Sequence, residues 1–273
     1  MSTKAPTWLE RKPIVGVLHV PALPGTPRNE LSFAAIRDWV TRDAEAYWAG
    51  GVSALGVDAL LIENAGDTPF YPDRVPAETV AFLTALACRL RSRFDLPLGI
   101  NVLRSDGESA LAIAAAAGAE FIRVATYSGA RAGDQANLQG QAHRIQRLNH
   151  ALGCQVMIFA DVMIRHSATP MGGRALENVV EDTIERALAD AVILSGPESD
   201  TPSDLAPLQT ARVAAKGARV FAGSGAREDT ISAILGVADG AIVGSAFKVD
   251  GVATNPVDAE RVKRFMDAAR TRR

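Results

Sequence analysis

The sequence predicts a single (β/α)8 barrel of the phosphate-binding type, and three observations predict it. Strand-length apolar runs alternate with helix-length segments eight times along the 273 residues, the mark of βαβ units on a parallel sheet. The runs are continuously hydrophobic rather than alternating, as strands covered on the outside by helices are. Nearly every run ends on a polar residue or a glycine. In a closed barrel those exits converge on one mouth, the face that carries the chemistry of this fold.

The elements follow in order. After an N-terminal extension over 1–12, the first run, Ile14–Leu18, exits on His19 and precedes a helix over 32–50. The second, Ala59–Ile62, exits on Glu63 and Asn64 before a helix over 77–93. The third, Leu98–Val102, presents Asn101 near its end, and Asp106 is a good N-cap for a helix over 107–117. The fourth, Phe121–Ala125, carries Arg123 inside it and leaves through Thr126 and Tyr127 toward a helix over 138–152. The fifth, Val156–Ala160, exits on Asp161, with a helix over 178–189. The sixth, Ala191–Leu194, exits on Ser195 and Gly196, and Ser203 caps a helix over 203–216. The seventh, Val220–Ala222, leaves through Gly223-Ser224-Gly225 before a helix over 227–237. The eighth, Ala241–Val243, leaves through Gly244-Ser245-Ala246-Phe247-Lys248. A last helix over 258–270 starts at Asp258, shortly after Pro256. No Gly-x-Gly-x-x-Gly follows the first run, which argues against a doubly wound open sheet.

A weak internal repeat supports closure. The segments 56–62, 118–124, 188–194 and 237–243 each end a helix, turn on an acidic residue (Asp58, Glu120, Asp190, Asp239) and begin an apolar strand. They introduce the second, fourth, sixth and eighth strands, the pattern that duplicated βαβα units would leave.

Composition excludes several classes. The 29 basic and 31 acidic residues are interspersed, the formal net charge is −2, and no aromatic-basic stripe appears, so nucleic acid is not an expected partner. Cys88 and Cys154 have no metal-ligand spacing and are expected to be buried, reduced thiols. The N-terminus lacks the apolar core of a secretory signal. The apolar runs fall far short of the ~20 residues of a membrane span. The expectation is a cytoplasmic homo-oligomer with no integral membrane segment, peripheral association remaining open.

The exits contain two groups of candidate residues. Gly223, Ser224 and Gly225 with Gly244 and Ser245 form the expected phosphate cradle: glycines admit an anion to the backbone, and successive amides before a helix start point donors at it. Its place after the last two strands is the recurring phosphate site of such barrels. His19, Glu63, Asp161 and His166 are the acid-base candidates. A histidine beside carboxylates can act as a general base near neutral pH, or the group can hold a divalent metal through mixed nitrogen and oxygen ligands. Asn64 and Asn101 are expected to orient substrate. Arg123 either points into the mouth or pairs with a carboxylate, since an inward arginine is costly unless it meets an anion. The segments 127–137 and 162–177 are longer than a βα turn needs and are expected to be lids.

With these residues in hand, the chain resembles the BtpA/SgcQ family. The resemblance covers almost the whole sequence. It rests on Gly16-Val17-Leu18-His19-Val20-Pro21-Ala22-Leu23-Pro24-Gly25, on Ile62-Glu63-Asn64-Ala65-Gly66-Asp67-Thr68-Pro69-Phe70-Tyr71, on Leu98–Arg104, Phe121–Val124 and Ala160–Val162 with His166, and on the closing glycine segments. It implies the barrel fold but no settled chemistry. The cyanobacterial namesake is a photosystem I biogenesis factor, while other members resemble sugar-metabolism enzymes. Where the family pattern reads Arg-Val-Asn-Val-His-Thr-Gly, this chain has Arg123-Val124-Ala125-Thr126-Tyr127-Ser128-Gly129. Any activity that used that Asn and His would be altered here. The leading expectation is an enzyme, a lyase, isomerase or hydrolase, acting on a sugar phosphate or nucleoside-derived phosphate through His19, Glu63 and Asp161. The alternative is a non-catalytic stability factor for a membrane complex such as photosystem I. A ring of polar strand exits favours the first; a large exposed apolar patch would favour the second.

Overall fold

A computed structural model of the chain describes residues 6–49, 57–133, 136–163, 167–168, 173–195 and 205–270. All eight apolar runs are parallel strands: β1 Ile14–His19, β2 Ala59–Glu63, β3 Leu98–Asn101, β4 Phe121–Val124, β5 Met157–Met163, β6 Ala191–Ser195, β7 Arg219–Ser224 and β8 Gly240–Val243. They pair in sequence order, and β8 returns to β1 with Ile14 beside Ala241, which closes the barrel. The outer helices are α1 Phe33–Ala49, α2 Ala77–Arg91, α3 Gly107–Ala117, α4 Ala142–Ala151, α5 Leu176–Glu181 with a π turn to Arg186, α6 Ala206–Ala214, α7 Ile231–Leu235 and α8 Ala259–Ala269.

Strand periodicity divides the core. Side chains alternate between the barrel axis and the helices. Val15, Val17, Ala59, Leu61, Phe121, Phe159, Ala191, Ile193, Phe221 and Ile242 form the axial cluster, with Leu9 and Trp8 of the Thr7–Arg11 3-10 turn packed into it. Phe121, Phe159 and Phe221 run through it with centroid spacings of 4.8 and 5.0 Å. Rings of that size leave no room on the neighbouring strands: a Cβ on Gly99 would lie 2.3 Å from the Phe121 ring, and one on Gly240 2.4 Å from the Phe221 ring. The even, continuous apolar character of the strands therefore comes from burial on both faces.

The acidic corners have a common purpose. Asp58 accepts from the Ile14 amide at 2.7 Å, Glu120 from Leu98 at 2.7 Å, Asp190 from Ile158 at 2.8 Å and Asp239 from Val220 at 2.9 Å. Each acid entering an even strand thus satisfies an amide at the start of its odd neighbour, a donor that would otherwise lack a partner where the ladder begins. Two of the expected N-caps are also in place. Asp106 accepts from Ser109 N at 3.0 Å, and Asp258 from Glu260 N at 2.9 Å. Ser203 and Gly196 lie outside the described residues.

Two expectations are corrected. The 127–137 segment, expected as a long loop leading to a helix from 138, carries a β-hairpin, Ala130–Gly133 against Ala136–Gln139, extended by Ser167–Ala168 of the 162–177 segment into a three-stranded sheet. Its strands are short and rich in alanine and glycine, so they carry no period-2 signal, and α4 starts only at Ala142 because the hairpin occupies 136–139. Nor are both thiols buried. Cys88 is exposed and Cys154 half-buried, because the inner face of α2 is taken by Thr79, Leu83, Leu86, Ala87 and Leu90, and position 88 falls on the outer one.

Candidate functional site

Two residues beyond the axial cluster, each strand presents one more inward position: His19, Glu63, Asn101, Arg123, Asp161, Ser195, Gly223 and Gly244. The strand register lines up the first four, with His19 beside Glu63, Glu63 beside Asn101 and Asn101 beside Arg123. Closure of the barrel brings together residues far apart in sequence.

His19 Nε2 lies 4.0 Å from Glu63 Oε1, and Asn101 Nδ2 donates to Glu63 Oε2 at 2.6 Å. His19 Nδ1 lies 3.2 Å from the Ala253 carbonyl. A carbonyl only accepts, so Nδ1 carries the hydrogen and Nε2 presents its lone pair to the Glu63 side. Burial pushes the imidazole below its ordinary value of 6.5, partly offset by the Glu63 charge. Burial thus favours the neutral imidazole, with the Ala253 carbonyl selecting the tautomer protonated at Nδ1.

Asp161 stands at the inward exit of β5, where Arg123 takes up its carboxylate. Its side chain is fully buried and grips Arg123 at two points, Nε to Oδ2 at 2.9 Å and Nη2 to Oδ1 at 3.0 Å. Burial raises the Asp161 carboxyl, against the pull of Arg123. Burial likewise disfavours the guanidinium charge, but the paired carboxylate outweighs it and Arg123 stays protonated. Asp161 accordingly orients Arg123 rather than standing free as an acid or base. Both sequence alternatives for Arg123 hold together: it pairs with a carboxylate and sits at the mouth, its side chain 14% exposed. With both Asp161 oxygens engaged, His19 and Glu63 alone do not make a metal donor set. Among the described residues no group of three or more His, Cys, Asp or Glu is placed to hold an ion. His166 lies outside the described residues.

Asn64 is engaged in loop contacts. It donates to Asp67 Oδ2 at 3.0 Å and accepts from Leu103 N at 2.7 Å, while Asp67 Oδ1 accepts from Leu23 N at 2.8 Å. A Cβ on Gly66 would lie 2.2 Å from Ala22 N. The two long motifs after β1 and β2 therefore lock these loops to each other. Tyr127 is buried in the outer layer; its hydroxyl donates to Ala187 O at 2.5 Å and accepts from Gln146 at 2.9 Å. Burial pushes that phenol up to about 12.

The cradle glycines have separate causes. A Cβ on Gly223 would lie 2.4 Å from Ile193 Cγ2, and one on Gly244 2.8 Å from His19 Cε1, whereas Gly225 has a left-handed φ of 76°. Ser245–Phe247 form a single 3-10 turn after β8. The Ser224 hydroxyl is buried without a hydrogen-bond partner among the described residues. Gly225, Ala226, Ser245 and Ala246 line a cleft of about 810 Å³ that also receives Arg227, Arg261 and Arg264. The sequence did not mark these arginines, since Arg227 lies in the turn ahead of α7 and Arg261 and Arg264 lie on α8, where charges look like a solvated face. Behind the cradle, fully buried Lys248 pairs with Asp43 of α1 at 2.5 Å, and Asp43 also accepts from Val257 N at 2.9 Å. This pair pins the 248–257 segment that supplies the Ala253 carbonyl to His19. Replacing Gly244 with alanine is expected to displace the imidazole and cost about 1–3 kcal/mol. Replacing the exposed Ser245 with alanine should change stability by less than ~0.5 kcal/mol. Urea unfolding of both variants checks the contrast.

With this geometry in place, the comparisons with known proteins decide the lineage. The BtpA family model matches residues 10–271. The chain belongs to the BtpA family. Photosystem I biogenesis protein BtpA of Synechocystis sp. is 41% identical over 262 residues, covering 96% of this chain and 89% of that one. Protein TK2179 of Thermococcus kodakarensis is 38% identical, with 96% of each chain covered. Among solved structures, N-(5'-phosphoribosyl)anthranilate isomerase from Pyrococcus furiosus superposes with a TM-score of 0.58 at 14% identity, covering 94% of this chain and 98% of that one. KGPDC from Streptococcus mutans gives 0.56 at 15%, covering 95% and 98%. At such identity these barrels establish the shared fold. Among the described residues, no helix is long and apolar enough to cross a membrane.

Proposed function

We propose that the chain is an enzyme that moves a proton on a small phosphorylated metabolite, as an isomerase or lyase would. The observation that carries this reading is the close approach of the His19 imidazole to Gly244, where an added Cβ would lie 2.8 Å from Cε1 and 3.1 Å from Nε2. A phosphate on the Gly244–Ser245 turn brings the adjoining carbon skeleton beside Nε2, the atom that accepts the proton. Glu63, fixed by Asn101, stabilises the imidazolium that results, and Arg123, held by Asp161, faces negative charge developing on the substrate. The 41% identical relative is named for photosystem I biogenesis, which supports a second reading as an assembly factor. Against it, the ring of polar strand exits, with His19, Glu63, Asn101 and Arg123 side by side, is a feature an assembly factor does not need.

A thermal-shift screen of sugar phosphates and nucleotides tests the proposal, with and without divalent metal. A ligand at ~100 times its Kd adds about 2.7 kcal/mol, a rise of several degrees. Ser245→Glu, which places a carboxylate at the exposed rim of the cradle, is expected to abolish the rise. A screen without any shift, together with tight capture of a membrane-complex subunit, would transfer the case to the assembly reading.

A further inference from the structure

The hairpin after β4 adds a cation to the mouth that the proton-transfer reading does not use. Arg131 reaches from it across to β5, where its Nη2 donates to the Val162 carbonyl, the residue after Asp161. Arg123 grips Asp161 itself through Nε and Nη2. Two guanidiniums therefore flank one strand end that supplies a single carboxylate, with the Glu63 charge also acting on Arg123. Burial acts against the Arg131 charge, and Asp161 only partly offsets it. The two bonds to Asp161 use Nε and Nη2 and leave the Nη1 edge of Arg123 off that carboxylate, in a side chain only 14% exposed. An arginine oriented this way, with its fork partly unspent in a desolvated site, is suited to a planar oxyanion.

Position in the barrel adds the second argument. The strands close in the order β1 to β8, so β4 and β5 stand directly across the mouth from β8 and β1. The arginine pair therefore faces the phosphate cradle over the His19–Glu63 pair. We propose that Arg123 and Arg131 form a second anion subsite, and that the substrate is a phosphorylated carboxylic acid spanning the mouth, phosphate at β7–β8 and carboxylate at β4–β5. A planar carboxylate matches the guanidinium fork of Arg123, whereas a second phosphate would bring more negative charge up against Asp161 and Glu63. The substrate class rests on the cradle reading; the arginine subsite does not.

Calorimetry on the full chain tests this with ω-phosphonocarboxylates of increasing length, beside alkylphosphonates of the same length and glutarate. The acid of matching length is expected to bind at least ~10-fold tighter than its alkylphosphonate. Arg131→Gln should remove that advantage and leave the alkylphosphonate affinity unchanged, with Arg131→Lys intermediate. Ser245→Glu should weaken both phosphonates and spare glutarate. An advantage that survives Arg131→Gln, an equal loss for the alkylphosphonate, or no carboxylate-dependent gain at any length would overturn the subsite. If alkylphosphonates fail to bind while glutarate binding still depends on Arg131, the phosphate cradle fails and the arginine subsite stands.

Discussion

Replacing Asp161 with alanine is expected to destabilise the barrel by about 3–5 kcal/mol, lowering the melting temperature by roughly 10 °C. The Asp161 side chain has no solvent exposure, and both its oxygens are bonded to Arg123. Removing it leaves a guanidinium at a buried position with only the more distant Glu63 charge to offset its desolvation. The cost thus reflects the orphaned charge more than the lost attraction. The double variant Asp161→Leu with Arg123→Met removes both charges and is expected to recover most of the loss, to within about 1–2 kcal/mol of the parent chain. Urea unfolding of the single and double variants measures both quantities. An Asp161→Ala protein as stable as the parent would show that Arg123 is not held as the geometry indicates.

Replacing His19 with glutamine is expected to lower kcat/KM by roughly 10²–10⁴-fold on the substrate returned by the phosphate screen. The pH dependence carries the diagnostic sign. A base must be unprotonated to act, so the rate rises with pH through the His19 pKa and then levels. Burial sets that pKa below 6.5, and the acidic limb accordingly lies below the ordinary imidazole range. It disappears in His19→Gln. Glu63→Gln removes the charge that raises this pKa and is expected to move the limb to still lower pH. The same depression affects folding: His19 opposes folding as pH falls from 6.5 through its lowered value, because the unfolded chain takes up the proton first. A limb above 6.5, or one that persists in His19→Gln, would refute the assignment.

The layout of the barrel was legible because its signals are local. Each apolar run, helix and acidic corner is encoded within a few residues, and closure then forces eight strand exits onto one face. His19, Glu63, Asn101 and Arg123 could be named for that reason. Partnerships between segments remote in the chain were not legible. Asp161 and Arg123 stand 38 residues apart, and nothing near either shows that the acid is consumed by the arginine. Lys248 and Asp43 are 205 residues apart, and each resembles an ordinary surface charge in its own segment. The hairpin escaped notice because pairing between short alanine- and glycine-rich strands leaves no hydrophobic period.

By itself, the sequence determined the fold, the family and the ring of polar exits, since periodic burial writes those into local patterns. The tertiary structure decided which charges neutralise one another, which face of α2 carries Cys88, and why Gly244 must be glycine. Those outcomes depend on distances between segments remote in the chain, set only when the barrel closes and desolvates the groups inside it.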